Sequence, residues 1–281
     1  MSRLDQHAMR WINAVDAKIF HGNSGCIFAV PPQHAVEDLE KMLENFDQAL
    51  AGGKILKNSP TTTAALVDCA GQNLFLKRTN NKNWKFTLRY LFRSARAFRS
   101  AASAAKLAQL GIPTPPVIAA GERRCGLILK CGYLVTGSEN GICGMDRAIM
   151  ASANPLETMA DFLEKAAGMM ALLHRNNVLH GDLKLCNFYR AGNGEPGIWD
   201  LDSMKIYRKQ VPLRKIETEI TRLLASCVAV QELIPGLPEP EIDRMAEAFC
   251  QTYSRNSVAS PSAKNVADLI RARLNRWRNK K

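Results

Sequence analysis

Apolar side chains recur every three or four positions along residues 36–50, at Val36, Leu39, Met42, Leu43, Phe46 and Leu50, and Ala51-Gly52-Gly53 closes the run. That spacing predicts one amphipathic helix ended by glycines. The texture then shortens to β-type runs at Ala64–Asp68 and Leu74–Lys77, with Ala70-Gly71-Gln72-Asn73 between them, which predicts a hairpin. A helical period returns over Lys82–Leu110, where Trp84, Leu88, Leu91, Ala95, Phe98 and Ala102 fall on one arc and Gly111-Ile112-Pro113 stops it.

Strands are expected at Val117–Ala120 and Gly126–Val135, followed by the polar, glycine-rich segment 136–141, a hinge by composition. Beyond it the chain reads as mostly helical. Asn154-Pro155-Leu156-Glu157 has the order of a helix start, a capping side chain followed by proline at the first helical position. The helix should run to about Arg175 and bury Phe162, Leu163, Ala166, Met169, Met170 and Leu173. Two or three more helices are expected between Pro212 and Lys281. The resulting division is a helical extension over 1–54, a strand-rich lobe over 55–135, a hinge over 136–141 and a helical lobe over 142–281.

The 281 residues hold 46% hydrophobic and 23% charged positions, a globular composition that excludes collagen and disorder. No stretch approaches the ~20 apolar residues of a membrane span, and Met1–Arg10 lacks the basic-then-apolar order of a signal peptide, so a cytoplasmic location is expected. The eight cysteines are dispersed, with neither a disulfide framework nor zinc-ligand spacing, and read as reduced thiols.

The chemistry concentrates in Val178-Leu179-His180-Gly181-Asp182-Leu183-Lys184-Leu185-Cys186-Asn187, followed by Gly197-Ile198-Trp199-Asp200-Leu201-Asp202. This stretch resembles the catalytic and metal-binding loops of kinases: Asn187 stands five positions after Asp182, and a second Asp follows on a short strand. Phosphoryl transfer needs a carboxylate to orient the attacking hydroxyl and accept its proton, and oxygen ligands that hold Mg²⁺ on the phosphates. Asp182 fits the base, Lys184 a neutralising cation, and Asn187 and Asp200 the hard ligands. Asp202 stands where protein kinases carry glycine and serves as a second metal contact or a loop cap. His180 would fix the loop by bonding backbone.

Upstream, Lys77 ends a hairpin strand and resembles the strand lysine that holds the α and β phosphates of ATP. The turn around Ser59, Thr61 and Thr62 would cover the phosphates with backbone N–H groups and hydroxyls, in place of a glycine-rich loop. No Asp or Glu occurs between Cys69 and Gly121, so the helix carboxylate that pairs with this lysine in protein kinases has no counterpart. Ser100 stands about where it would be, so Lys77 would find another carboxylate, from Glu37, Glu40 or Glu44, or work without one.

The formal charge is +12. On a continuous helix, Lys82, Lys85, Arg89, Arg93, Arg96 and Arg99 would share an arc of about 120° opposite the apolar one. A single-sign stripe attracts anions, which makes Arg89, Arg93 and Arg96 candidates for an anionic acceptor. A second basic group, Arg271, Arg273, Arg276, Trp277, Arg278, Lys280 and Lys281, closes the chain. It suits either an anionic membrane surface or a packed helix with a solvated tail. No nucleic-acid module signature is present, and aromatics are sparse, so nucleic acid is not the expected partner.

Only twelve positions separate Asp200 from Pro212, without Ala-Pro-Glu, which leaves no room for a peptide-binding activation segment. Together with Arg93-Ser94-Ala95-Arg96-Ala97-Phe98-Arg99 and Leu107–Pro115, the two loops make the chain resemble the bacterial lipopolysaccharide core kinases of the Kdo/heptose, WaaP/InaA type. The resemblance covers roughly 55–224. It implies an α+β, protein-kinase-like bilobal fold with a small lobe of antiparallel sheet plus helix and a larger, mainly helical lobe. It also implies ATP and Mg²⁺ as cofactors and phosphorylation of a sugar hydroxyl of lipopolysaccharide core at the inner face of the cytoplasmic membrane. The residue types leave two other classes open: a small-molecule kinase of the aminoglycoside or choline type, against which the positive charge speaks, and a non-catalytic stress or scaffold protein.

Overall fold

The structure, a computed structural model, describes residues 4–81, 84–138, 143–191 and 194–279, without the side chains of residues 7, 24, 85 and 89. The chain divides into two compact units, residues 1–108 with 114–141 and residues 109–113 with 142–281.

The first unit is built on one antiparallel sheet. In chain order its elements are α1 (Gln6–Ala14), β1 (Lys18–Gly22), β2 (Cys26–Val30), α2 (Glu37–Glu44), α3 (Phe46–Gly52), β3 (Lys54–Ser59), β4 (Thr62–Cys69), β5 (Gln72–Asn80), α4 (Trp84–Tyr90), α5 (Arg96–Gln109), β6 (Val117–Cys125) and β7 (Ile128–Gly137). The strands lie in the order β1-β2-β6-β7-β5-β4-β3. The β4–β5 hairpin turns at Ala70 and Gly71, whose φ of 52° and 80° match the right-handed twist of the strands they join. Residues 1–54 are therefore not a helical extension, because β1 and β2 complete the sheet against β6.

Apolar groups cover both faces of this sheet. Leu39, Leu43, Phe46 and Leu50 of α2 and α3 pack on one face with Leu74, Leu76 and Tyr133. Trp11 and Phe98, from α1 and α5, pack with Ala95 and Leu129 in a second cluster. The periodicity over 36–50 thus marks the buried face, yet the helix is broken at Asn45 (φ −114°, ψ 37°). The Asn45 side chain accepts from Asn23 Nδ2 at 3.1 Å, which local periodicity does not reveal.

The helix expected over Lys82–Leu110 is also two. It breaks between Tyr90 and Arg96, where long-range partners take the backbone groups. Glu122 of β6 accepts the Ala95 N–H at 2.8 Å, and Arg124 donates to the carbonyls of Tyr90 and Arg93. Asp5 accepts the Ser94 N–H at 3.0 Å while Ser94 Oγ accepts from Asp5 N–H. Both ends at the break are capped from other elements, so an interruption is more stable than a continued helix. As a consequence Trp84 and Leu88, expected on the buried arc, are 70% and 64% exposed.

The second unit comprises α6 (Met145–Met150), α7 (Pro155–Arg175), β8 (Val178–Leu179), β9 (Phe188–Arg190), β10 (Pro196–Ile198), β11 (Lys205–Ile206), α8 (Leu213–Gln231), α9 (Ile242–Arg255) and α10 (Ala263–Arg278). Proline does occupy the first turn of α7, and Phe162, Ala166, Met170 and Leu173 are buried, with Leu163 and Met169 partly so. Asn154 makes no capping bond. Instead the Ser152 hydroxyl accepts the Asn154 N–H at 3.1 Å and meets Thr158 Oγ1 at 2.7 Å. The short strands form two antiparallel pairs, the β9–β10 hairpin and β8 with β11, and α7 and α8 pack against them.

Candidate active site

The loop at residues 180–187 leaves β8 through Gly181, whose φ is 84° and whose missing Cβ would stand 2.7 Å from the Ser203 carbonyl oxygen. Only glycine fits that approach. His180 is buried, and its Nε2 lies 3.1 Å from the Trp199 carbonyl. A carbonyl only accepts, so Nε2 carries the proton and Nδ1 accepts the Asp182 N–H at 3.4 Å. One imidazole thereby ties the 180–182 turn to the chain just before Asp200.

Helix α8 holds the same turn from the other side. Glu219 is fully buried and accepts the backbone N–H groups of His180 and Gly181 and a bond from His174 Nε2 at 3.0 Å. His174 in turn meets the Tyr253 hydroxyl at 2.9 Å through Nδ1. Burial by itself raises a carboxyl pKa, but here the His174 hydrogen bond, the imidazoles of His174 and His180 and the Gly181 N–H outweigh it and hold Glu219 below its ordinary value. Further along α8, Ser226 Oγ accepts the Leu185 N–H at 2.8 Å, and Arg222 donates to the Gly181 carbonyl.

With its backbone fixed, Asp182 presents a half-buried carboxylate 3.4 Å from Lys184 Nζ and 3.7 Å from an Arg222 nitrogen. Asn187 is buried and donates Nδ2 to the Asp182 carbonyl at 2.8 Å, which leaves its Oδ1 on the opposite side of the amide. The Asn187 carbonyl accepts the Trp199 N–H at 3.1 Å, and Trp199 Nε1 donates to the Cys186 carbonyl at 2.8 Å. Tyr189 stacks on Trp199 with ring centroids 5.1 Å apart. Asp200 follows directly in the left-handed region (φ 59°, ψ 55°), a conformation Asp tolerates better than most residues at a cost of ~1 kcal/mol. It is exposed, whereas Asp202 is half-buried in the 3-10 turn Leu201–Ser203. These bonds bring Asp182, Lys184, Asn187 and the chain at Asp200 to one hairpin.

Among the described residues no three His, Cys, Asp or Glu side chains cluster into a metal cage. An amide oxygen with one or two carboxylates nevertheless suits a hard divalent cation that takes its remaining ligands from water and phosphate. The donor chemistry of Asn187, Asp200 and Asp202 therefore fits Mg²⁺.

In the first unit, Lys77 pairs with Ala64 and Leu134 in the middle of the sheet. Strand alternation sets it opposite Leu74 and Leu76, on the face of the α5 cluster where Leu134 packs. The acids of α2 stand over the other face, and Glu37 pairs with Lys41 at 2.6 Å. Ser100 is buried within α5. The β3–β4 turn lies two register positions beyond Lys77. Its Ser59 hydroxyl accepts the Thr62 N–H at 3.1 Å and donates to the Thr62 carbonyl at 3.0 Å, with Thr61 Oγ1 3.4 Å away.

The continuous basic stripe does not form, because the break between α4 and α5 interrupts it. Arg93 is exposed in the break, while Arg96 and Arg99 both donate to the Tyr90 hydroxyl, at 3.0 and 2.8 Å. Lys82 lies outside the described residues, as do the side chains of Lys85 and Arg89. At the other terminus α10 packs on α8 and α9. Arg271 pairs with Asp243 and Asp268, and Arg278 with Glu232, which favours the packed-helix reading of that cluster; Lys280 and Lys281 lie outside the described residues.

The sequence model of the lipopolysaccharide kinase (Kdo/WaaP) family matches residues 53–253. The chain belongs to this family. It is a kinase, and the family's acceptor is lipopolysaccharide. No curated protein sequence matches the chain. Among solved structures, "WaaP in complex with acyl carrier protein" aligns with a TM-score of 0.58 at 16% identity, over 94% of this chain and 98% of that one. The likeness identifies the fold as protein-kinase-like, with the seven-stranded sheet in the first unit and helices dominating the second.

Glu219 and Arg222 escape sequence reasoning about this family's motifs. A signal exists for the first. Ile216, Glu219, Ile220 and Leu223 share one helical stripe, so a carboxylate sits among apolar positions, where charges are rare unless bound.

Proposed function

We propose that the chain transfers the γ-phosphoryl group of ATP to a heptose or Kdo hydroxyl of the lipopolysaccharide inner core. What supports this reading is the immobilised Asp182 turn. Its backbone is held by His180, Glu219, Asn187 and Arg222 while its carboxylate stays accessible beside Lys184. A carboxylate so placed orients an acceptor hydroxyl and takes its proton, and Lys184 offsets charge on the transferred group. Asn187 and Asp200, with Asp202 as a further contact, hold Mg²⁺. The ion, when bound, neutralises charge on the phosphates. Lys77 binds the α and β phosphates, and the Ser59–Thr62 turn covers them with the Thr61 N–H and hydroxyl.

The chain also acts at a membrane surface in this reading, as a peripheral protein on the inner face. No helix among the described residues is long and apolar enough to cross a membrane. Trp84 and Leu88, one turn apart on α4, and Phe92, 78% exposed just beyond it, form an apolar edge with Arg93 alongside. Aromatic and aliphatic tips with a cation suit the boundary between headgroups and acyl chains.

The test is transfer of labelled γ-phosphate from Mg·ATP to rough-core lipopolysaccharide. Asp182→Ala should lower the rate by ~10²–10⁴-fold, the range for removing a general base. Equal labelling by the variant would refute the assignment.

A further inference from the structure

Helix α10 packs along α8 and brings Arg273 toward the Asp182 turn. Arg273 and Arg276 are one turn apart on α10. Arg273 is in electrostatic reach of Arg222, Arg276 and Asp182. Its guanidinium lies over the Trp277 ring, 5.0 Å from the centroid, which fixes the group without using its N–H donors. Arg222 approaches Asp182 to 3.7 Å, and Lys184 stands 3.4 Å from the same carboxylate. Three cations thus gather on one carboxylate, with Arg276 one turn along the helix from the third.

Such an excess is costly unless something anionic shares the site. The other arginines of α10 show the contrast, since Arg271 and Arg278 are matched by acids from neighbouring helices. Arg222 and Arg273 are not fully satisfied: the buried Nε of each has no hydrogen-bond partner among the described residues. Burial first, and then Arg222 and Arg276, push the Arg273 pKa down from its ordinary value, the response of a cation crowded by like charge. Guanidinium groups present paired donors that match a phosphate or carboxylate edge.

We propose that Arg222, Arg273 and Arg276 form an anion subsite beside Asp182 that binds a phosphate or carboxylate already carried by the acceptor. The proposal rests on the kinase reading for the identity of Asp182 and deepens it, by making acceptor choice depend on a pre-existing negative group near the hydroxyl to be phosphorylated. The subsite belongs to the acceptor and not to the nucleotide, and that distinction is what the experiment reads.

Steady-state kinetics of the full chain are compared for intact rough-core lipopolysaccharide, the same material dephosphorylated, and material with its carboxyl groups reduced. The native chain should prefer the intact acceptor by about tenfold or more in kcat/KM, the worth of one charge-assisted pair. Loss of the preference on dephosphorylation assigns a phosphate; loss only on carboxyl reduction assigns a carboxylate. Arg276→Glu, at an exposed position that tolerates reversal, and Arg273→Gln should abolish the preference through a raised acceptor KM, with the KM for ATP within about twofold. A raised ATP KM with the acceptor preference intact would overturn the proposal and give the arginines to the nucleotide. Should the native chain turn over no acceptor, the kinase reading fails separately, and binding to immobilised intact and dephosphorylated lipopolysaccharide decides the subsite. Salt-sensitive binding of the intact form that Arg276→Glu weakens supports it, whereas equal binding by variant and native chain sinks it.

Discussion

The Glu219 carboxylate shows how a single buried charge organises the turn that carries Asp182. It satisfies two backbone N–H groups and one imidazole, and each of those partners would otherwise be a buried donor without an acceptor. Because its folded pKa lies below the ordinary value of 4.5, the unfolded chain binds the proton more readily. The associated stability is fully present above that ordinary value and is lost as pH falls through the folded one. Denaturation measured between pH 7 and pH 3 should therefore show an acid limb that Glu219→Gln flattens, with the variant less stable at neutral pH. An unchanged limb would mean that the carboxylate is not the linked group. At this scale the sequence was partly readable. Spacing singled out Asp182, Asn187 and Asp200, whereas the Glu219, Arg222 and Ser226 side chains that hold the 180–185 backbone come from α8, far along the chain. Nothing local in the His180–Asn187 run points to Glu219 or Ser226.

Among the elements, helix periods located the buried faces well and the helix ends badly. Leu39, Leu43, Phe46 and Leu50 all face the sheet, as their spacing predicts, although Asn45 divides their helix. Residues 82–110 fail for a clearer reason, since the caps at the break come from Asp5, Glu122 and Arg124. Glu122 and Arg124 form a buried pair at 2.6 Å on β6, so removal of one partner leaves the other charged and desolvated. Glu122→Ala should cost about 3 kcal/mol or more in urea denaturation. A loss below ~1 kcal/mol would show that the break between α4 and α5 does not depend on this pair. The missed strands β1 and β2 have a different cause. Their short runs, Lys18–Gly22 and Cys26–Val30, carry little period of their own and are recruited by pairing with β6.

Across the whole molecule, the excess positive charge divides between different tasks. The second unit concentrates Lys184, Arg222 and Arg273 around one carboxylate, while Arg96 and Arg99 of the first unit bind the Tyr90 hydroxyl and the apolar edge of α4 faces solvent. Net charge alone would predict membrane binding that vanishes with salt, since exposed charges are screened beyond ~8–10 Å at physiological ionic strength. Binding through the apolar edge would add a component that salt does not remove, because burial of Trp84, Leu88 and Phe92 would depend on area and not on charge. Co-sedimentation with vesicles containing anionic phospholipid separates the two. Native protein should retain a bound fraction at high salt, and Trp84→Ser with Phe92→Ser should lose that fraction while keeping its low-salt binding. Binding that disappears completely with salt in the native chain would assign the membrane contact to charge alone and remove α4 from it.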